Sequence, residues 1–139
     1  MTARTFIYGR MVADTELCQL IGGTDNPRIF AKKSMTSSVE DTPYIVYKMG
    51  NSTAEGLSER DDPERQYFQV WVHDYADSET ADYAKIDEVI TAVKRALLVD
   101  GNEPGLWMIN FLETSQDLND DTLNTVFRYL RFQIIKKEN

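Results

Sequence analysis

The sequence predicts an α+β domain: a mainly antiparallel sheet of about four strands packed against a long central helix and an N-terminal helical segment. Three observations carry this. Residues Tyr67 to Tyr75 alternate as a strand does, with Phe68, Val70 and Val72 on one face and Tyr67, Gln69, Trp71 and His73 on the other. Residues 78–98 place Ala81, Ile86, Val89, Ile90, Val93 and Leu97 on one helical stripe. Hairpin-style connections on either side of that helix give the element order α-β-β-α-β-β.

The N-terminal segment is read as helical because Phe6, Ile7, Met11 and Val12 recur near helical spacing before Leu17, Leu20 and Ile21. Gly9 and the capping residue Asp14 predict a kink or two short helices, and Gly22-Gly23 ends the segment. Arg28-Ile29-Phe30, after Pro27, reads as a short extended piece, followed by a polar loop from Lys33 to Thr42. Pro43 opens a strand in PYIVYKMG, with Ile45, Val46 and Tyr47 at its centre. The stretch 51–65 has turn residues Gly56 and Pro63, little apolar content beyond Leu57, and the acids Glu55, Glu59, Asp61, Asp62 and Glu64; it reads as a long solvated loop.

Asp77 or Ser78 is expected to cap the central helix, whose basic end Lys94-Arg95 suits the helix dipole. Turn chemistry at Asp100–Gly105 leads to a strand at 106–114, apolar on both faces: Leu106, Met108 and Leu112 on one, Trp107, Ile109 and Phe111 on the other. A polar turn, Ser115 to Asp121, precedes the closing strand from Thr125 to Ile135. The helix stripe should cover one sheet face. The opposite face is assigned Trp71, Trp107, Phe111 and Tyr129, or their alternates along the strands, more aromatic surface than a free monomer leaves wet, so these are candidate interface residues. Arg131 joins them, because Arg128 and Arg131 alternate onto opposite faces and are expected to pair with acids of a neighbouring strand or subunit.

Composition narrows the function. The 139 residues predict a single domain spanning 1–139, and a 42% hydrophobic fraction with 11% aromatics argues for a packed core over disorder. A net charge of -8 argues against gripping nucleic-acid phosphates. The lone Cys18 allows no internal disulfide, no stretch is long and apolar enough for a membrane span, and the N-terminus lacks a signal-peptide pattern. The expectation is a protein of a reducing interior, in which the sequon Asn51-Ser52-Thr53 is unused.

No catalytic, cofactor or metal site emerges. His73 in HDYAD reads as a strand-end histidine in a polar turn, and Cys18, among Leu17, Leu20 and Ile21, as a small buried thiol. Asp117-Leu118-Asn119-Asp120-Asp121 starts like a calcium loop, but Thr122 stands where the sharp turn needs glycine and Arg128 where a bidentate Glu is needed. Gly22-Gly23 lacks the spacing and the Lys-Ser/Thr of a phosphate cradle.

The ordered pieces DTELCQLIGG with PRIF, PYIVYKM, YFQVWVHDYADS running into TADYAKIDEVITAVKRAL, and the closing FRYLRFQI resemble the tail-terminator and tail-completion proteins of tailed bacteriophages, over roughly residues 14 to 135. The resemblance implies an α+β subunit, encoded by a phage or prophage, that forms a ring, commonly a hexamer, on the last ring of the tail tube and offers a surface to the head–tail connector. It implies partners that are further copies of the chain, the tube protein and the connector. The implied location is the head-proximal end of the virion tail, after assembly in the host cytoplasm, with no membrane and no cofactor. DNA would pass without being gripped, and Glu55, Glu59, Asp61, Asp62 and Glu64 are the first candidates for an acidic lumen or a partner-binding loop.

Two other classes are weighed. An acidic inhibitor of immunity type would block a basic partner through segments 55–64 and 113–121 in a steeply salt-dependent way; an enzyme would use His73 with Asp74 or Asp77 as base, and retained function after His73→Ala would dispose of it. The loop at 51–65 has almost nothing apolar to bury, so it is expected to be mobile in an isolated subunit and to order on assembly. Hydrogen exchange should then find it unprotected in the free chain, and protection there would contradict this reading.

Overall fold

The computed structural model describes residues 2–31, 42–53, 65–75, 83–122 and 125–137. Two helices open the chain, α1 (Ala3–Ala13) and α2 (Thr15–Leu20), as the glycine and the aspartate in this segment predict. Thr2 starts α1 by accepting a hydrogen bond from the Thr5 amide, which satisfies one of the unpaired donors of the first turn. Asp14 closes α1 and caps α2, its Oδ1 accepting from the Leu17 amide at 3.0 Å. Gly22 and Gly23 then take φ of 119° and 106°, and the Gly23 amide donates to Cys18 O. A side chain at Gly22 would also meet the end of the Arg28 guanidinium at 2.8 Å, which would have to move aside, so it is the left-handed conformation that favours glycine there.

Six strands follow among the described residues: β1 (Ile29–Phe30), β2 (Tyr44–Thr53), β3 (Arg65–Tyr75), β4 (Trp107–Thr114), β5 (Leu118–Asp120) and β6 (Thr125–Lys136). They form one sheet of order β1-β2-β3-β6-β4, with β5 also pairing β6; only β1 with β2 is parallel. The expected count of about four strands is thus two short. The extended piece at Ile29-Phe30 does join the sheet, and Leu118–Asp120, read as part of a polar turn, is a strand. Both are held by backbone pairing, and strands so short carry no periodicity for a sequence to display. The loop expected at 51–65 is also shorter. Asn51–Thr53 belong to β2, Arg65 opens β3, and Thr53 pairs with Arg65; the intervening residues lie outside those described.

The third helix, α3 (Ala84–Leu97), carries the predicted stripe, with Ile86, Val89, Ile90, Val93 and Leu97 all buried. Its N-cap position is Tyr83, without a side-chain cap, so the described helix is shorter than 78–98; Asp77, Ser78 and Ala81 lie outside the described residues. Tyr83 instead donates its hydroxyl hydrogen to Leu118 O, tying the helix entry to β5. At the far end Arg10 of α1 donates to Ala96 O and Leu98 O, placing a cation at the negative pole of α3. Arg95 reaches back to Asp14 through Nη2–Oδ1 at 2.7 Å and Nε–Oδ2 at 3.0 Å, with Glu16 at 2.9 Å. The hydrogen bonds from Arg95 hold the Asp14 carboxyl below its ordinary pKa, against the opposing effect of its partial burial.

Register fixes the two faces of the sheet. Directly opposed pairs Met49–Phe68–Phe132–Phe111 and Tyr47–Val70–Leu130 share the face beneath the helices. Phe132 lies at the centre, stacked on Phe68 at 5.1 Å and edge-on to Phe111 at 5.7 Å. Ile7 and Met11 of α1, Leu17 of α2 and Ile21 just after it complete the core, and Cys18 is a buried thiol pointing at Met11 O and Val12 O. Burial raises the Cys18 pKa, in keeping with a packing role.

Phe132→Ala should lower the unfolding free energy by about 3–5 kcal/mol, because the cavity would open between rings that cannot collapse into it. Leu112→Ala, at a side chain 43% exposed, should change it by no more than about 0.5 kcal/mol. Urea unfolding followed by tryptophan fluorescence would check both.

Candidate functional site

The face turned away from the helices is where the candidate interface residues were expected, and the structure divides them. Trp71 and Tyr129 lie there as a directly opposed pair, ring centroids 6.2 Å apart, both partly exposed. Trp107 and Phe111 do not. Trp107 is buried against Phe6 of α1, and Phe111 packs on Phe132 beneath the ammonium group of Lys94, so both belong to the helix-covered face. The reason is that β4 is apolar on both sides: alternation says which residues share a face, and only packing decides which face is covered. Of the apolar residues on the other side of β4, Met108 is partly accessible and Leu112 is exposed.

The far face has two unlike ends. At one end Phe30, Tyr44, His73 and Phe127 form a ladder of rings across β1, β2, β3 and β6, with Tyr44–His73 at 4.9 Å and His73–Phe127 at 4.8 Å. His73 is therefore not a histidine in a polar turn. It is 5% exposed, both ring faces are covered, and Nδ1 hydrogen-bonds the buried Thr125 hydroxyl at 2.9 Å. The sequence held a faint signal for this, since His73 shares the strand parity of Tyr67 and Trp71. In this position it serves as a flat, neutral packing element and not as an exposed base.

At the other end lies a charged and half-open strip. Lys48, Gln69, Arg131 and Glu113 stand opposite one another in a single row across β2, β3, β6 and β4. Trp71 and Tyr129 flank the row on one side and Tyr67 with Gln133 on the other. A groove of about 360 Å³ opens here, lined by Lys48, Gly50, Tyr67, Gln69, Trp71 and Arg131 among others. Gly50 sits where β2 shifts register; a β-carbon there would stand 3.2 Å from Tyr67 O. Arg131 is held by Glu113 at 2.9 Å, with both side chains substantially exposed, whereas Lys48 makes no ion pair among the described residues.

Arg128, on the opposite face, pairs with Asp87 of α3 at 2.8 Å and more loosely with Asp117, and its Nε donates to Ser115 O. Both arginines thus find acids within their own chain. The acids Glu55, Glu59, Asp61, Asp62 and Glu64 lie outside the described residues. No group of three or more His, Cys, Asp or Glu residues able to hold a metal ion occurs among the described residues, and none of their helices is long and apolar enough to cross a membrane.

Burial pushes the His73 pKa down from 6.5 to about 4, partly opposed by the negative charge of Asp120. The unfolded chain therefore takes up a proton near pH 6.5 that the folded chain refuses until about pH 4. The stability His73 contributes is whole above pH 6.5 and is lost as the pH falls toward 4, by about 3 kcal/mol at most. Urea titrations at pH 7 and pH 4.5 should show this loss in the wild type and a clearly smaller one in His73→Gln, which keeps a donor for Thr125. Equal losses in the two chains would show that the proton goes elsewhere.

No protein-family model and no curated protein sequence matches the chain. Among solved structures, a chain in the virion of a native gene transfer agent particle is similar in fold, with a TM-score of 0.66 at 16% sequence identity. The match spans 99% of this chain and 96% of that one, so the likeness takes in the helices, the sheet and their order together.

Proposed function

We propose that this chain is a non-enzymatic structural protein of a phage-type virion, and that it acts as a tail terminator: a ring-forming subunit, hexameric in the simplest case, that caps the tail tube and joins it to the head connector. The observation that carries this reading is the whole-length fold likeness to a chain of a gene transfer agent virion. A likeness limited to a sheet and one helix would be shared by many unrelated proteins. One that takes in the N-terminal helical pair, the central helix and six strands is far more restrictive.

The surfaces are consistent with a ring. A closed ring of identical subunits needs two different patches, one on each side of the subunit, that fit each other head to tail. The open strip on the far face supplies one patch with both polar and aromatic groups, the mix found at subunit interfaces. The net charge of -8 suits a channel through which DNA slides without adhering, and the acids from Glu55 to Glu64 remain the candidates for its wall. The tube protein and the connector would be the remaining partners, in a virion assembled in the host cytoplasm.

The acidic-inhibitor reading draws less support. Within 113–121, Glu113 and Asp117 are already engaged by Arg131 and Arg128, which reduces the charge offered to a basic partner. The enzyme reading is weakened by the burial of His73 between two rings.

Electron microscopy of particles carrying a labelled copy of this chain should place the label as a ring at the junction of head and tail. Deleting the chain should leave heads and tails unjoined, with tubes of uncontrolled length. Label elsewhere on the particle, or particles that lack the chain altogether, would overturn the proposal.

A further inference from the structure

The groove on the far face is a cationic site in an acidic protein. Along its row, Lys48 and Arg131 stand two strand spacings apart, roughly 10 Å, with the Gln69 amide between them. Lys48 is exposed and makes no ion pair among the described residues; Arg131 gives Nη1 to Glu113 and keeps further N–H donors. Tyr67 and Trp71 line the groove beside the cations, and such walls strengthen the pull of a positive group on a carboxylate relative to a flat, wet surface. The groove therefore suits an exposed carboxylate carried on a protein segment.

The opposite flank of the same sheet presents one. Lys48 is on β2 and the acidic strand β5 lies beyond β6, so the β3–β6 pair separates the two patches. At the end of β5, Asp121 is exposed and meets no cation among the described residues. The turn around it is braced from within: the Asn119 amide donates to Asp121 Oδ1 at 2.9 Å, and the Thr122 amide donates to Asp120 Oδ1 at 3.0 Å. Asp87 and Asp117 extend the negative patch, since the two share the single cation of Arg128. Within one subunit the patches cannot meet. Asp120 pairs with Thr125, six residues along β6 from the row of Lys48 and Arg131, which is roughly 20 Å. Both patches sit on paired strands, and that distance exceeds the combined reach of a lysine or arginine with an aspartate.

We infer that the groove lined by Lys48, Tyr67, Gln69, Trp71 and Arg131 receives the acidic turn at residues 119–122 of a second copy of this chain, with Asp121 set on Lys48. Charge complementarity between two patches of the same chain names the occupant, and their separation within one subunit makes the contact one between copies. This deepens the ring reading and rests on it, because unlike patches on opposite flanks are what a head-to-tail contact uses.

The test is a charge swap read by sedimentation velocity of the full chain across a concentration series at one moderate ionic strength, with circular dichroism confirming that each variant folds. The wild type should self-associate. Lys48→Glu should weaken association at least tenfold, and so should Asp121→Lys. The two substitutions move the net charge in opposite directions, so weakening by both marks a local pair and not overall repulsion. An equimolar mixture of the two variants should restore association, because every groove then meets a turn of opposite charge. A further variant replaces residues 54–64 by an Asn-Gly turn, which the pairing of Thr53 with Arg65 allows, and should associate at least as strongly as the wild type. Loss of association in that variant would make the acidic segment the occupant and overturn the inference. So would a wild type that stays monomeric throughout, a Lys48→Glu or Asp121→Lys chain that associates like the wild type, or a mixture no better than its components. None of these results bears on where a labelled subunit sits in a particle, so failure here and failure of the ring reading are separable.

Discussion

The antiparallel ladder between β3 and β6 is the constraint on which the remaining structure depends. It runs from Arg65–Ile135 to Tyr75–Thr125 and puts β6, the last strand in the chain, between β3 and β4. Every assignment of a side chain to a face follows from its register. A slip of one residue would carry Phe132 and Leu130 to the open side and bring Arg131 and Tyr129 under the helices. The stacked Phe68–Phe132 pair opposes such a slip, because it aligns two large rings that fit together only in this pairing. The connection from β3 through α3 to β4 leaves a vacancy in the sheet that β6 fills, so the helix and the final strand depend on each other.

Charged groups place the helices around that sheet more than their number suggests. Asp14 closes α1 with its backbone amide and uses its carboxylate to cap α2 and accept the Arg95 guanidinium, so a single residue ties α1, α2 and α3 together. Arg10 adds a second contact at the same C-terminal end of α3 by meeting its last carbonyls. These contacts sit at the rim, where they orient elements whose burial supplies most of the stability. On the far side of the sheet polar and aromatic groups are sorted instead by position. Rings close one end around His73, and the cationic row leaves the other end open. That asymmetry makes the far face suitable for recognising another chain, since an all-aromatic face would bind without selectivity and an all-charged one would stay hydrated.

Several elements were legible from residue pattern alone because their signals were redundant. Phe68, Val70 and Val72 alternate without exception, and the stripe from Ile86 to Leu97 is a clean helical face; both lie buried as expected. Asp14 and Gly22-Gly23 marked the helix boundaries because few other residues satisfy those backbone positions. Which face of the sheet each candidate interface residue occupies was half legible. Trp71, Tyr129 and Arg131 lie on the open face, but Trp107 and Phe111 lie under the helices. Lys48, which completes the row, gave no sign of itself, because its meaning comes from Gln69 and Arg131 on strands distant in sequence.

The sequence by itself determined the local periodicities, the helix ends and the acidic balance, since these depend on neighbours a few residues apart and on composition. Tertiary structure alone decided which side of β4 is covered, that β5 exists, that His73 is a buried rung between Tyr44 and Phe127, and that Lys48 and Arg131 share a groove. Each of those facts is a cross-strand relation. Pairing register converts positions far apart in the chain into neighbours about 5 Å apart, and no window on a single strand contains that information.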